Sequence, residues 1–247
     1  MLLIREMQPE TENAFIPTHS DVKRYQQLRG VCRAMSDRMV LRIPSLAYDD
    51  IGNALGILHG GKLILETEDM CAVLADCCLY DWYQNGENLV QRYAAECPSE
   101  PGSDEEFMLS AMRQERYRIL QPLSRVAGAG LQCQDMLTGE KLFLMDVGFS
   151  STSGSMSLAT RTFPLGDYWI SGGAALPISS KETIESLEQV FRQPPDDFAQ
   201  FELAVVRACL QGGAAERIRY AGPGSSLGVS RPREPRWIPK RRRRLHS

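Results

Sequence analysis

The sequence GLQCQDMLTGEKLFLM, residues 130–145, predicts two β-strands joined by a tight turn. From Tyr117 onward the apolar residues recur with a period of two, as expected for strands that bury one face. The turn is LTGEK, residues 137–141, in which Gly139 stands where a hairpin needs a positive φ. This hairpin therefore predicts an antiparallel sheet in the second half of the chain.

Extended segments with this period fill the chain from residue 117 to residue 178. They are YRILQPLSRVAG, GLQCQDML, KLFLMDVGF, SMSLATRTF and DYWISGGAALPI, separated by turn signals. Five antiparallel strands of this length predict a barrel-like sheet, because closure removes exposed strand edges. Gly172 and Gly173 inside the last segment predict a bulge or a bend.

Helical periodicity governs the chain on both sides of the predicted sheet. The first helix is expected to start at Ser20 or Asp21, which suit a helix N-terminus. Thr67 is expected to cap a core helix that Asn85-Gly86 closes. The predicted fold class is α+β. Its parts are a flexible N-terminus (1–19), a helical region (20–116), an antiparallel barrel-like region (117–179), two C-terminal helices (180–213) and a disordered basic tail (214–247).

The composition is that of a soluble globular protein, with 247 residues, 43% hydrophobic and 24% charged. No stretch approaches about 18 apolar residues, so no membrane span or membrane partner is predicted. The apolar part of MLLIREMQPE, residues 1–10, is too short for a secretory signal, which favours the cytoplasm. The seven cysteines are odd in number and include no C-x-x-C pair, so buried thiols are expected rather than disulfides or a zinc site.

The charge is concentrated at the C-terminus, in SRPREPRWIPKRRRRLHS, residues 230–247. Eight basic residues there oppose one acid, Glu234, whereas the rest of the chain has a net charge of −10. Such asymmetry indicates contact with nucleic acid or with an acidic surface. The alternatives are a solvated, disordered terminus and a tail that folds back on the chain's own acidic body. The predicted contact residues are Arg236, Lys240, Arg241, Arg242, Arg243 and Arg244.

Motifs for catalysis, cofactors and metals do not fit their required contexts. HGGK, residues 59–62, and GAG, residues 128–130, lack the strand and helix order of phosphate loops, and both are interpreted as turns. SSTSGS, residues 150–155, with Thr160 and Arg161 after it, is interpreted as a turn rather than an anion site. No catalytic residue, cofactor or metal is predicted.

Two segments give the chain a family resemblance: GLQCQDMLTGEKLFLMDVGFS (130–150) and ATRTFPLGDYWISGGAALPI (159–178). With EDMCAVLADCCLYDWYQNGENLVQRY (68–93), they resemble an uncharacterised family of bacterial, planctomycete-type proteins. That family is related to proteins carrying a SecA-type C-terminal zinc knuckle. Residues 222–247 of this chain hold no cysteine, so the resemblance implies no metal site here, and it implies no activity.

These patterns favour a non-enzymatic binding or adaptor protein with a protein partner and an auxiliary basic tail. One alternative is a nucleic-acid-associated protein whose arginine-rich tail anchors on phosphate. Another is an enzyme of unknown type that uses Asp69, Asp76 and Asp81, which requires these acids to converge in a pocket.

Overall fold

Helices form the first half of the chain in a computed structural model that describes residues 15–149 and 156–217. Four of these five helices begin at a capping side chain, Thr18, Thr67, Asn88 or Ser103, whose oxygen accepts a backbone N–H three residues ahead. The helices are α1 (His19–Val40), α2 (Ser45–Leu55), α3 (Glu68–Tyr80), α4 (Leu89–Glu96) and α5 (Asp104–Met112).

Two local predictions about helix ends were wrong. α1 begins before Ser20, because Thr18 and Asp21 form a capping box in which the Asp21 carboxylate accepts the Thr18 N–H at 2.8 Å. α3 ends at Tyr80, short of Asn85-Gly86. The first two strands, β1 (Leu58–His59) and β2 (Lys62–Leu63), form a short hairpin. Asn85-Gly86 forms the turn of a second one, between β3 (Tyr83–Gln84) and β4 (Glu87–Asn88), with φ of 55° and 83°. Positive φ at both central residues is the hairpin use of Asn-Gly.

Five strands close into a barrel in the order β8-β5-β6-β7-β9, and β9 pairs back onto β8. This confirms the α+β class and the barrel-like sheet. One pairing, β7 with β9, is parallel rather than antiparallel. The reason is topological, because an odd number of strands in a closed ring cannot be antiparallel at every pairing. The strands are β5 (Arg116–Val126), β6 (Gly130–Asp135), β7 (Lys141–Met145), β8 (Ser157–Pro164) and β9 (Trp169–Ser171).

The predicted fifth segment is split in two. β9 is followed by β10 (Leu176–Ile178), which pairs antiparallel with the N-terminal half of β8. The break contains Gly172 and Gly173, and Gly173 has φ of 111°. The predicted bend is thus confirmed.

The barrel divides its apolar residues between two faces. Leu120, Leu131, Cys133, Leu142 and Leu144 form a small cluster of their own. Residues at alternate positions, such as Ile119, Phe143 and Met145, belong instead to the large core shared with the helices. Alternation along each strand therefore ties the barrel to the helical layer.

Two helices follow the barrel, as predicted. They are α6 (Lys181–Arg192), capped by Ser180, and α7 (Phe198–Gln211), capped by Asp197. A 3-10 helix at Ala215–Arg217 lies at the start of the predicted tail, and residues 218–247 lie outside the described residues. Across residues 15–149 and 156–217, no helix is long and apolar enough to cross a membrane.

Residues near the N-terminus contact the barrel. The ring of Phe15 packs on Phe143 and Tyr168 at centroid distances of 5.4 and 5.5 Å. The Gln132 side-chain amide donates to the Phe15 carbonyl at 2.9 Å. Phe15, which lies within the predicted N-terminal segment 1–19, therefore packs on the barrel, and residues 1–14 lie outside the described residues. The division of the chain into five separate regions stays a prediction.

Candidate functional site

A buried arginine on β8 contacts four acids from three parts of the chain. Arg161, only 1% exposed, donates from Nη2 to both carboxylate oxygens of Asp81 at 2.9 and 2.8 Å. Its Nε donates to Asp76 at 3.0 Å. Its Nη1 donates to Glu115 at 2.6 Å and to Glu202 at 3.3 Å. The arginine thus links β8 to α3, to the approach to β5, and to α7.

Aromatic rings flank the same guanidinium. Its central carbon lies 4.5 Å from the ring centroid of Tyr80 and 5.4 Å from that of Tyr117. A guanidinium over a ring face is favoured by the ring quadrupole, and more so when water is excluded. The rings therefore help to hold a charge that would otherwise be costly to bury.

Acids outnumber the single base in this cluster, and the pKa values of Asp76, Glu115 and Glu202 are raised. Burial raises the pKa of Asp76 and Glu115, and the positive charge of Arg161 only partly offsets it. Burial, with the nearby charges of Asp81 and Glu115, raises the pKa of Glu202 to about 9 against the pull of Arg161. Glu202 is therefore protonated at neutral pH.

This geometry is a structural hub. Each of the three guanidinium nitrogens of Arg161 already donates to a carboxylate, so its donors are occupied within the protein. Asp76 and Asp81, two of the three acids of the enzyme hypothesis, are committed to this arginine. Asp69 lies in the first turn of α3, two turns from Asp76. The three acids do not form one site.

A second buried arginine, Arg118, stabilises the hairpin of β6 and β7. Arg118 Nη1 donates to Asp135 at 2.7 Å and to Glu140 at 2.9 Å, and its guanidinium lies 4.3 Å from the ring centroid of Trp169. Asp135 also accepts the Leu137 N–H at 2.9 Å within the turn. This pair therefore fixes the β6–β7 connection.

The cysteines and histidines offer no reactive centre in the described residues. All seven cysteines are free thiols, and burial raises the pKa of Cys133 and of Cys209 to about 12. His19 and His59 are both exposed. Within residues 15–149 and 156–217, no group of three or more His, Cys, Asp or Glu side chains could hold a metal ion.

Two depressions on the described surface open to solvent. One, of about 260 Å³, is lined by residues of β4 and α4 with Arg113. The other, of about 660 Å³, is lined by α4, α5, their connection and Arg24. Both are open to solvent, and neither is lined by the acids around Arg161.

The C-terminal helices carry a contiguous exposed aromatic patch. The Phe191 ring on α6 lies 6.1 Å from the Phe201 ring on α7, and Phe198 stacks on Phe201 at 6.3 Å. Phe198 is 63% exposed and Phe191 44%. Ile184, 46% exposed, lies two helical turns before Phe191 on the same face. These residues are called the α6–α7 aromatic surface: Ile184, Phe191, Phe198 and Phe201.

Acidic residues lie before, between and after the residues of this surface in the sequence. Glu188 lies between Ile184 and Phe191 on the same helix face, and it pairs with Arg192 at 2.9 Å. Asp197 caps α7 directly before Phe198. Besides the buried Glu202, residues 181–203 hold two bases against five acids: Lys181 and Arg192 against Glu182, Glu185, Glu188, Asp196 and Asp197.

Neither the acidic cluster around Arg161 nor the α6–α7 aromatic surface was predicted from the sequence. A signal for the aromatic surface was present, because Ile184 and Phe191 are seven residues apart on a helix whose buried residues are Thr183 and Leu187. The predicted contact residues Arg236, Lys240, Arg241, Arg242, Arg243 and Arg244 lie outside the described residues. The HGGK and GAG turns are confirmed as turns, with positive φ at Gly60, Gly61 and Gly128.

Comparison with known proteins identifies the family. Residues 19–194 match the family described as a family of unknown function, DUF7986. Because the match covers well over half of the chain, the chain belongs to this family. No curated protein and no solved structure matches the chain.

Proposed function

We propose that this member of the DUF7986 family is a non-enzymatic binding module whose α6–α7 aromatic surface takes a basic protein segment with apolar side chains. The observation that carries the proposal is the contiguous packing of three phenylalanine rings, two of them largely exposed. Exposed clusters of this kind, rimmed by polar groups, mark interaction sites. Aromatic residues also supply much of the binding energy at interfaces.

The charge around the surface selects the partner's chemistry. Apart from the buried Glu202, residues 181–203 hold five acids and two bases, which give the surface a negative rim. Negative rims attract positive partners and raise their association rate. The ion pairs Lys181–Glu185 and Arg192–Glu188 are exposed, so they contribute little to stability. Their glutamates can therefore pair with a partner's basic groups instead.

Several finer predictions belong to this proposal. A cytoplasmic location is supported by seven free thiols, which suit a reducing compartment. The bacterial, planctomycete-type kinship and the relation to proteins with a SecA-type knuckle stay predictions from sequence. The enzyme alternative has lost support, since Asp76 and Asp81 are committed to Arg161.

The basic tail carries the second candidate function, contact with nucleic acid. The support is the sequence asymmetry, eight bases within residues 231–247 against an acidic body. Its test is fluorescence anisotropy with labelled DNA and RNA over a range of salt. The full chain is compared with a variant in which Arg241, Arg242, Arg243 and Arg244 are serine. Binding that needs these arginines and weakens steeply with salt supports a phosphate contact.

The binding proposal is tested by selecting phage-displayed random peptides on the full chain. The chain carries Trp237→Ser and Ile238→Ser, so that tethered apolar tail residues do not compete with a free peptide. We expect the selected peptides to be basic and to contain aromatic or aliphatic residues. In anisotropy titrations on that background, Phe198→Ser weakens binding by about tenfold or more, as for a hot-spot residue.

The matched control is Phe107→Ser on α5, because Phe107 is also exposed, at 45%, but lies outside the surface. We expect this variant to bind the selected peptide as tightly as the chain without it. Equal binding by the Phe198 variant, selection of acidic peptides, or failure to select any peptide would each contradict the proposal.

A further inference from the structure

We propose that the chain's own residues 236–245, RWIPKRRRRL, occupy the α6–α7 aromatic surface when no partner is bound. This inference rests on the proposed function of that surface and names its regulation. The protein then holds its own competitor, and a partner segment must displace it.

Charge complementarity points to this segment. Residues 236–245 hold Arg236, Lys240 and four consecutive arginines with no acid. The surface lies in residues 181–203, where acids outnumber bases. Opposite potentials of this kind set the register and the rate of docking. Asp197, which precedes Phe198 directly, and Glu188, which lies beside Phe191, place negative charge at both ends of the ring cluster.

Apolar residues within the segment match the rings. Trp237 and Ile238 stand between two basic groups, and Leu245 follows the arginine run. Tryptophan and arginine are the residues most often found at energetic centres of interfaces, and arginine also stacks on aromatic faces. A stretch with charge alone would need no ring surface, whereas RWIP supplies both chemistries.

The tether is long enough. Trp237 lies 20 residues beyond Arg217, the last described residue. A chain of that length can span up to about 66 Å when fully extended. α7, which leads from Phe198 toward the 3-10 helix, has 14 residues and is therefore about 21 Å long. The segment can reach the rings without strain.

The other undescribed end of the chain suits the surface less well. Residues 1–14, MLLIREMQPETENA, are apolar at first but carry Glu6, Glu10 and Glu12 against Arg5. Their net negative charge opposes the acidic rim of the surface. Charge thus separates two apolar segments that could otherwise compete for the rings.

The direct test is fluorine NMR of the full chain with 5-fluorotryptophan, which labels Trp82, Trp169 and Trp237. Trp237→Ser assigns the third signal by its loss. We expect the Trp237 signal to move toward its position in a denatured chain in Phe198→Ser and to stay unchanged in Phe107→Ser. A Trp237 signal that Phe198→Ser leaves in place overturns the inference, whether the segment is free or docked elsewhere.

A second measurement separates this inference from the function on which it rests. The peptide selected on the Trp237→Ser, Ile238→Ser background is titrated into the natural chain. Because a tethered segment competes at millimolar effective concentration, we expect the natural chain to bind about tenfold more weakly. Equal affinity overturns the docked tail while the function stands. Insensitivity of both chains to Phe198→Ser overturns the function itself.

Discussion

Arg161 donates to both carboxylate oxygens of Asp81, at 2.9 and 2.8 Å, across 80 residues of sequence. This pair joins the centre of β8 to Asp81, the residue that directly follows α3. It holds the barrel to the helical layer at a point where both charges are out of water.

Removing the arginine should be far more damaging than removing a surface arginine. Arg161→Met leaves the buried Asp81 and the partly buried Asp76 and Glu115 without their cation, and we expect a loss of about 3–5 kcal/mol in the free energy of unfolding. Arg192→Met, at an exposed pair with Glu188, should cost less than about 1 kcal/mol. Urea unfolding measures both. Similar losses in the two variants would mean that the hub is energetically unimportant.

Glu202 should make the protein less stable as pH rises. Its pKa is about 9 in the folded chain against an ordinary value of 4.5, so between these values the folded state keeps a proton that the unfolded state releases. Stability therefore falls from pH 5 to pH 9. Glu202→Gln cannot titrate and should gain stability over the natural chain progressively across that window. Urea denaturation at several pH values measures this pH dependence, and Glu188→Gln at an exposed position is the control. Parallel pH profiles for the natural chain and Glu202→Gln would refute the assignment.

Substitution by alanine should lower the free energy of unfolding by different amounts at two glycines of the β6–β7 hairpin. A Cβ at Gly130 would lie 2.1 Å from the Leu144 carbonyl oxygen in the paired strand, so Gly130→Ala should cost about 3 kcal/mol. Gly139 faces open space but has φ of 76°, so Gly139→Ala should cost about 1 kcal/mol. Thermal and urea unfolding measure both losses. A larger loss for Gly139→Ala than for Gly130→Ala would contradict the close contact between β6 and β7 at Gly130.

The exposed phenylalanine should matter for binding and not for folding. Because Phe198 is 63% exposed, Phe198→Ser should change the free energy of unfolding by less than about 0.5 kcal/mol. Urea unfolding of this variant beside Phe107→Ser provides the comparison. A large loss of stability would show that the ring is part of the core rather than of a binding surface.

Local features of the fold were predictable because their causes are local. The hairpin around Gly139 and the bend at Gly173 follow from backbone conformations that glycine favours. Thr67 was predictable for a similar reason, because its hydroxyl caps the helix that it precedes. The start of α1 was missed by one or two residues, since Thr18 and Ser20 are both competent caps.

The central contacts were not predictable, because periodicity reports burial and not pairing across the chain. Arg161 stands in a strand pattern like any other polar residue, and its acids are 41 to 85 residues away. The parallel pairing of β7 with β9 arises only once an odd number of strands closes. The aromatic surface depends on Phe191 and Phe201 meeting from different helices.

The binding claim is tested most directly by hydrogen–deuterium exchange of the full chain, carrying Trp237→Ser and Ile238→Ser, with and without saturating selected peptide. We expect slower exchange confined to α6, α7 and their connection, and we expect no such protection in the Phe198→Ser variant. Protection of the barrel or of α1–α5 instead, or no protection at peptide saturation, would contradict the α6–α7 aromatic surface as the binding site.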